Sequence, residues 1–176
     1  MVSLDGYLEG PGGELDWHIV DKEFFDYAED MLNSVDCILF GRKTYEMMAA
    51  YWPTPDVKLN DPVIANKMNT LPKIVFSKTL TSVQWENSSL IRDHIQETIL
   101  NLKGQTGKDM VILGSGSIVS AFTKMGLIDE YRIIINPVIL GAGKLQFTGN
   151  LDKKMLKLAD VKKFSSGIVT LYYQPI

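Results

Sequence analysis

The stretch Val35-Asp36-Cys37-Ile38-Leu39-Phe40-Gly41-Arg42-Lys43-Thr44-Tyr45 joins an almost wholly apolar run to a glycine and then to a polar segment of a different period. The run predicts a buried strand over 35–40 with Cys37 in it, because a strand covered on both faces shows no apolar–polar alternation. Past Gly41, residues Tyr45, Met48, Ala49 and Trp52 share one face, which predicts a helix over 42–51 closed by Pro53. The same order recurs at 110–125. There a strand over 110–113 turns through Gly114-Ser115-Gly116-Ser117 into a helix carrying Ile118, Phe122 and Met125, with Gly126 as its stop.

Working outward, Phe24, Phe25, Ala28, Met31 and Leu32 recur at helical spacing over 22–34, with Asp26, Glu29 and Asp30 opposite them. A short strand is predicted over 73–76, and Ile91, Ile95, Ile99 and Leu102 mark a third helix. After Gly126 only strands are predicted: 131–140, 145–148, 155–163 and 168–174, the last two joined by a hairpin at Ser165-Ser166-Gly167. At the other end, 1–8 is short and apolar and is interrupted by the turn pair Asp5-Gly6, and Gly10-Pro11-Gly12-Gly13 reads as a flexible loop. Strand–helix alternation followed by strands alone predicts an α/β fold. It has a mixed, mainly parallel central sheet flanked by helices and antiparallel C-terminal strands. No repeat, linker or like-charge block divides the chain, so 1–176 is expected to form a single domain.

Composition narrows the function. The 176 residues are 45% hydrophobic and 22% charged, an ordinary globular balance. Eighteen basic against 21 acidic side chains give a formal charge of −3, which argues against a nucleic-acid partner. No apolar run approaches the roughly 20 residues of a membrane-spanning helix. The N-terminus lacks the order of a signal peptide, so a cytoplasmic protein is expected. One cysteine and two histidines are a thin supply for a metal site or a Cys–His nucleophile.

In open sheets, ligands bind beyond the carboxyl ends of the strands, where the first amides of the following helices are unpaired. Gly114-Ser115-Gly116-Ser117 suits close approach of a pyrophosphate, although Val119 stands where the dinucleotide fingerprint has its third glycine. Gly41-Arg42-Lys43-Thr44 places two cations and a hydroxyl in a first helical turn. Cations there oppose the helix dipole, a cost that a bound anion relieves. Ser77-Lys78 ends the 73–76 strand and adds a hydroxyl and a third cation to the same rim; Arg42 is the candidate for bidentate phosphate contact. Tight turns without ligand and solvated surface cations satisfy the same spacings. Asp21 reads either as a helix N-cap ahead of Lys22 or as a carboxylate flanked by Trp17 and Phe25, able to orient or protonate a nitrogen heterocycle. Asp5-Gly6 carries a similar ambiguity.

Taken in order, these segments resemble the dihydrofolate reductase superfamily, and among it stand-alone proteins similar to the C-terminal reductase domain of bifunctional riboflavin-biosynthesis enzymes. The matching residues are Ser3-Leu4-Asp5-Gly6-Tyr7, Asp16-Trp17, Asp21, Phe24-Phe25 and Gly41-Arg42-Lys43-Thr44-Tyr45-Glu46. Further on come Leu71-Pro72, Val75-Phe76-Ser77-Lys78, Leu113-Gly114-Ser115-Gly116-Ser117, Leu127-Ile128-Asp129-Glu130-Tyr131 and Pro137-Val138-Ile139-Leu140-Gly141-Ala142-Gly143. The resemblance implies an NADPH-dependent reductase acting on a small aminopyrimidine- or pterin-like heterocycle. It places Arg42–Thr44 and Ser77-Lys78 on the coenzyme's phosphates, Gly114–Ser117 on its pyrophosphate and Gly10–Gly13 as a lid. It implies that Asp21, Asp5 and Trp17 serve catalysis, that Phe25, Gly141 and Gly143 face the substrate, and that the protein is a homodimer. Lys73 stands where folate enzymes carry a tail-gripping arginine, and no arginine set for a ribose phosphate is evident. Folate reduction and a non-catalytic nucleotide-binding module are the alternatives.

Overall fold

The structure, a computed structural model, describes residues 1–149 and 151–176. In chain order the elements are β1 (Tyr7–Glu9), α1 (Lys22–Ser34), β2 (Val35–Gly41), α2 (Arg42–Tyr51), α3 (Pro55–Asn60), α4 (Pro62–Thr70), β3 (Lys73–Phe76) and β4 (Ser88–Ile91). They continue as α5 (Ile95–Lys103), β5 (Asp109–Ile112), α6 (Gly116–Met125), β6 (Tyr131–Ile135), β7 (Lys144–Leu145), β8 (Leu156–Lys163) and β9 (Val169–Pro175). Two compact units divide them: Asp26–Ile118, and Met1–Phe25 with Val119–Ile176. The α/β class, with a parallel sheet flanked by helices and antiparallel C-terminal strands, is as the sequence predicts. Among the described residues no helix is long and apolar enough to cross a membrane.

The unit Asp26–Ile118 is built on a four-stranded sheet ordered β4-β3-β2-β5. All three ladders are parallel, with Gly41 opposite Phe76 and Leu39 opposite Ile112. Ile38, Phe40 and Val75 are fully buried, as expected for strands covered on both faces. From β2 the chain builds outward through β3 to β4, then returns to place β5 on the other side of β2. The strand order therefore reverses between β2 and β5. Four elements depart from the sequence reading. Two short helices, α3 and α4, fill 55–70, each started by a proline in its first turn. Ile91 ends strand β4, and the third helix begins only at Ile95, after His94 in a left-handed conformation.

Lys73, the first residue of β3, is a buried cation. It is 1% exposed. Its Nζ donates to the carbonyls of Met68, Asn69 and Leu71 at 2.9, 3.0 and 2.7 Å, and lies 4.6 Å from the centroid of Trp85. A helix leaves its last carbonyls without partners, and this ammonium supplies them to α4.

In the other unit, β6-β9-β8 form an antiparallel sheet and β1 pairs with β7. The strand expected over 131–140 stops at Ile135. Asn136 and Pro137 follow it, and proline cannot donate to a ladder. The strand expected over 145–148 is the pair Lys144–Leu145. Of the short apolar stretch 1–8, only its last two residues enter β1, and Val2 forms an isolated parallel bridge to Ile135.

Burial lowers the Lys73 pKa from 10.5 to about 8. Between those values the folded protein binds fewer protons than the unfolded chain, so its stability rises with pH across that window. Lys73→Ala should remove that rise in urea titrations. At neutral pH it should cost about 1–3 kcal/mol through the orphaned carbonyls.

Candidate functional site

Two strand-to-helix bends meet at the reversal point of the parallel sheet. At the first, β2 ends on Gly41 and α2 begins at once. Gly41 is the N-cap with extended backbone angles, and no side chain caps the amides of Arg42, Lys43 and Thr44. At the second, β5 leads through Gly114 (φ 63°) and Ser115 (φ 53°) into α6. Both residues occupy the left-handed region, costly for a serine and free for a glycine. The bends are fastened to each other: Gly41 N donates to Ser115 Oγ at 2.7 Å, a buried bond. A Cβ on Gly41 would stand 2.9 Å from Ile118 Cγ1 and 3.3 Å from Ser115 Oγ. One on Gly114 would meet the Thr44 methyl at 3.5 Å.

The ten residues expected on the coenzyme therefore lie in one unit, but they do different work. Arg42 and Lys43 are exposed on the first turn of α2. Arg42 donates to both carboxylate oxygens of Glu46, one turn on, at 3.2–3.3 Å. Exposed pairs of this kind are worth only tenths of a kcal/mol, so the guanidinium is released cheaply. Lys78 is exposed. Ser77 Oγ accepts the N–H groups of Thr79 and Leu80 at 3.2 and 3.1 Å, closing the turn that presents Lys78. The hydroxyl of Ser115 is buried and holds Gly41, while Ser117 is exposed. Thr44 is half-buried beside Gly114. Two helix starts, backbone amides and three exposed cations fit a multiply phosphorylated nucleotide.

The residues expected at the substrate lie in the other unit. Asp21 is half-buried and its Oδ1 accepts the N–H of Phe24 at 2.8 Å, the N-cap geometry of α1. Phe25 is half-buried one turn into that helix. The indole N–H of Trp17 donates to the Glu14 carbonyl at 3.0 Å, and its ring stands edge-on to His18. Asp5 is a clasp: it accepts from Ser3 Oγ at 2.7 Å and from the amides of Leu140 and Gly141 at 3.1 and 2.8 Å. The Ser3 hydroxyl, with help from those amides, holds its pKa below the ordinary carboxylate value, so it stands as an acceptor rather than a proton donor. Gly141 (φ 74°) forms the clasped turn. Gly143 permits a close approach, because a Cβ there would fall 2.1 Å from the Glu9 carbonyl oxygen.

Sequence reasoning missed two residues. Asn136 is fully buried, and its Oδ1 accepts Ile19 N at 2.9 Å, tying down the segment between the glycine loop and α1. Tyr45 is buried, and its hydroxyl accepts the N–H groups of Gln84 and Trp85. The signals were a polar residue closing an apolar run before Pro137, and an aromatic directly behind the polar turn Arg42-Lys43-Thr44.

Comparison with known proteins extends over the whole chain. The family model of the RibD C-terminal domain matches residues 1–170. The uncharacterised protein YyaP of Bacillus subtilis is 36% identical over 172 residues, 98% of this chain and 90% of that protein. In Thermotoga maritima, the diaminohydroxyphosphoribosylaminopyrimidine deaminase/5-amino-6-(5-phosphoribosylamino)uracil reductase aligns with a TM-score of 0.72 at 21% identity, over 99% of this chain and 54% of that one. Dihydrofolate reductase of Enterococcus faecalis, solved with NADP(H), aligns with a TM-score of 0.61 at 16% identity, over 99% and 92%.

The crowding at Gly41 yields a stability test. Gly41→Ala forces Ile118 or the bend itself to move, and should cost about 1–3 kcal/mol, read as an earlier urea midpoint with unchanged slope.

Proposed function

The chain belongs to the RibD C-terminal domain family, and on that footing we propose that it is an NADPH-dependent reductase of a small nitrogen heterocycle of aminopyrimidine or pterin type. The observation that carries this reading is the fastened pair of bends at the sheet's reversal point, with uncapped amides and two exposed cations on the first turn of α2, and exposed Lys78 two residues past Phe76, the β3 partner of Gly41. Arg42, Lys43 and Lys78, with the Thr44 and Ser77 hydroxyls, would hold the phosphates, the ribose 2′-phosphate among them. Gly114–Ser117 would meet the pyrophosphate through backbone amides, and Gly41 gives the bend its room. When bound, the coenzyme supplies a hydride; the protein's share is orientation, proton supply and exclusion of water.

In the other unit, Asp21 would orient the heterocycle and deliver a proton to its nitrogen. Trp17 and Phe25 would keep water away. Asp5 would act by holding the turn that carries Gly141, with Gly143 beside β1, against which substrate packs. The buried position of Lys73 leaves no cation at that point to grip a glutamate tail, which supports an aminopyrimidine substrate over a folate. We further propose that the protein works in the cytoplasm as a homodimer. Exposed apolar side chains on and beside β8 (Met155, Leu158 and Val161) support self-association.

Two measurements test the reading. Micromolar NADPH should raise the melting temperature more than NADH does, with Arg42→Ala erasing most of the difference; equal shifts would overturn the phosphate assignment. On a panel of aminouracils, pterins and folates followed by NADPH absorbance, turnover should fall about 100-fold in Asp21→Asn with coenzyme binding retained. Absence of turnover across the panel, with binding intact, would favour a non-catalytic nucleotide module.

A further inference from the structure

Behind the first turn of α2 stands a residue that ties this helix to the segment between β3 and β4. Tyr45 is 5% exposed. Its ring lies 6.2 Å from that of Trp85, which in turn stacks on Phe40 at 6.0 Å. Its hydroxyl accepts the backbone N–H of Gln84 at 2.9 Å and of Trp85 at 3.0 Å. Trp85 is fixed from behind, its indole N–H donating to Asn69 Oδ1 at 2.7 Å and its ring carrying the Lys73 ammonium. The Asn69 amide nitrogen donates to the carbonyls of Trp52 and Ala65, so the anchor reaches α4 and the end of α2.

The residues between β3 and β4 are thus held at both ends. Ser77 Oγ closes the turn at Thr79 and Leu80, and Arg92 donates to the Leu80 carbonyl. At the far end, two consecutive amides end on one phenol oxygen carried by α2. This connection ties the turn bearing Arg42, Lys43 and Thr44 to the loop bearing Ser77 and Lys78. A buried amide that loses its acceptor must find another or shift toward water.

We propose that Tyr45 is the positioning residue that sets coenzyme selectivity: its phenol oxygen spaces the α2 cations from Lys78 so that both sets meet one phosphate. The inference rests on the NADPH reading given above. The side chain itself contacts no coenzyme; it acts through the geometry of the two cationic segments. A compact dianion is sensitive to that spacing, because charge-assisted hydrogen bonds are short and directional. A coenzyme without the 2′-phosphate has no such demand.

The test uses Tyr45→Phe, which keeps the ring and deletes only the acceptor. By calorimetry or fluorescence titration, NADPH affinity should fall about tenfold while NADH affinity changes less than about twofold. In a Lys78→Ala background the same substitution should have little further effect on NADPH, since the cation it positions is already gone. Equal losses for both coenzymes, no loss for either, or additive losses in the double variant would each overturn the proposal. Amide hydrogen exchange, with no coenzyme present, provides a separate readout: Gln84 and Trp85 should exchange faster in Tyr45→Phe, and unchanged protection would remove the strut. Wild-type protein that binds neither coenzyme would instead overturn the reductase reading, and the selectivity role with it, even if exchange shows the strut to be real. Should Tyr45→Phe fail to fold, Trp85→Phe keeps an apolar ring but frees Asn69. It should narrow the NADPH-to-NADH preference in the same direction, and an unchanged preference would count against the strut.

Discussion

A single bond between a backbone amide and a serine hydroxyl, Gly41 N to Ser115 Oγ, sets the separation of the two bends on which the candidate coenzyme site is built. It forms because β2 and β5 are adjacent parallel strands, so their carboxyl ends emerge side by side. On the β5 side the ladder ends at Leu39 and Ile112, and beyond it the Ser115 hydroxyl is the acceptor for the Gly41 amide. Ser115 satisfies it at the cost of a left-handed backbone, a conformation that a serine adopts only where its surroundings compensate. The absence of a Cβ at Gly41 then lets Ile118 pack against the bend.

Below this rim the same unit solves a second accounting problem. The carbonyls at the end of α4 sit in the interior, and the ammonium of Lys73 answers three of them while resting on the face of Trp85. A buried cation is tolerated because its donors are used and an aromatic face lies against it. The consequence is chemical as well as structural. Lys73 is spent on a helix end, while Arg42, Lys43 and Lys78 stay exposed.

In the Met1–Phe25 and Val119–Ile176 unit, acidic and amide side chains act as fasteners. Asp5 closes the turn at Leu140 and Gly141, Asn136 holds Ile19, Glu23 accepts from both the amide and the hydroxyl of Ser165, and Asp21 caps α1. A carboxylate that accepts several N–H or O–H bonds is stabilised in its charged form, as the lowered pKa of Asp5 reflects. Capping fixes the orientation of the Asp21 carboxyl group at the start of α1.

The sequence by itself determined the strands and helices whose apolar pattern is periodic or continuous: α1, β2, α2, β3 and the long antiparallel pair β8 and β9. It also placed the two glycine bends: Gly114 takes a left-handed backbone that glycine adopts without strain, and Gly41 leaves room for Ile118. It did not reveal α3 and α4, whose six and nine residues are too short for a clear period, nor β4, whose Ser88-Ser89 start has no strand signature. Side-chain duties were hidden for a different reason. Whether Lys73 points inward, whether Ser115 serves a ligand or Gly41, and whether Asp5 donates or accepts depend on partners between 2 and 136 positions away in the chain. Local pattern carries information about which face is buried, since burial is nearly a property of the residue. A polar group's role depends on which donor or acceptor the folded backbone brings within 3 Å or so of it, and only the tertiary structure decides that.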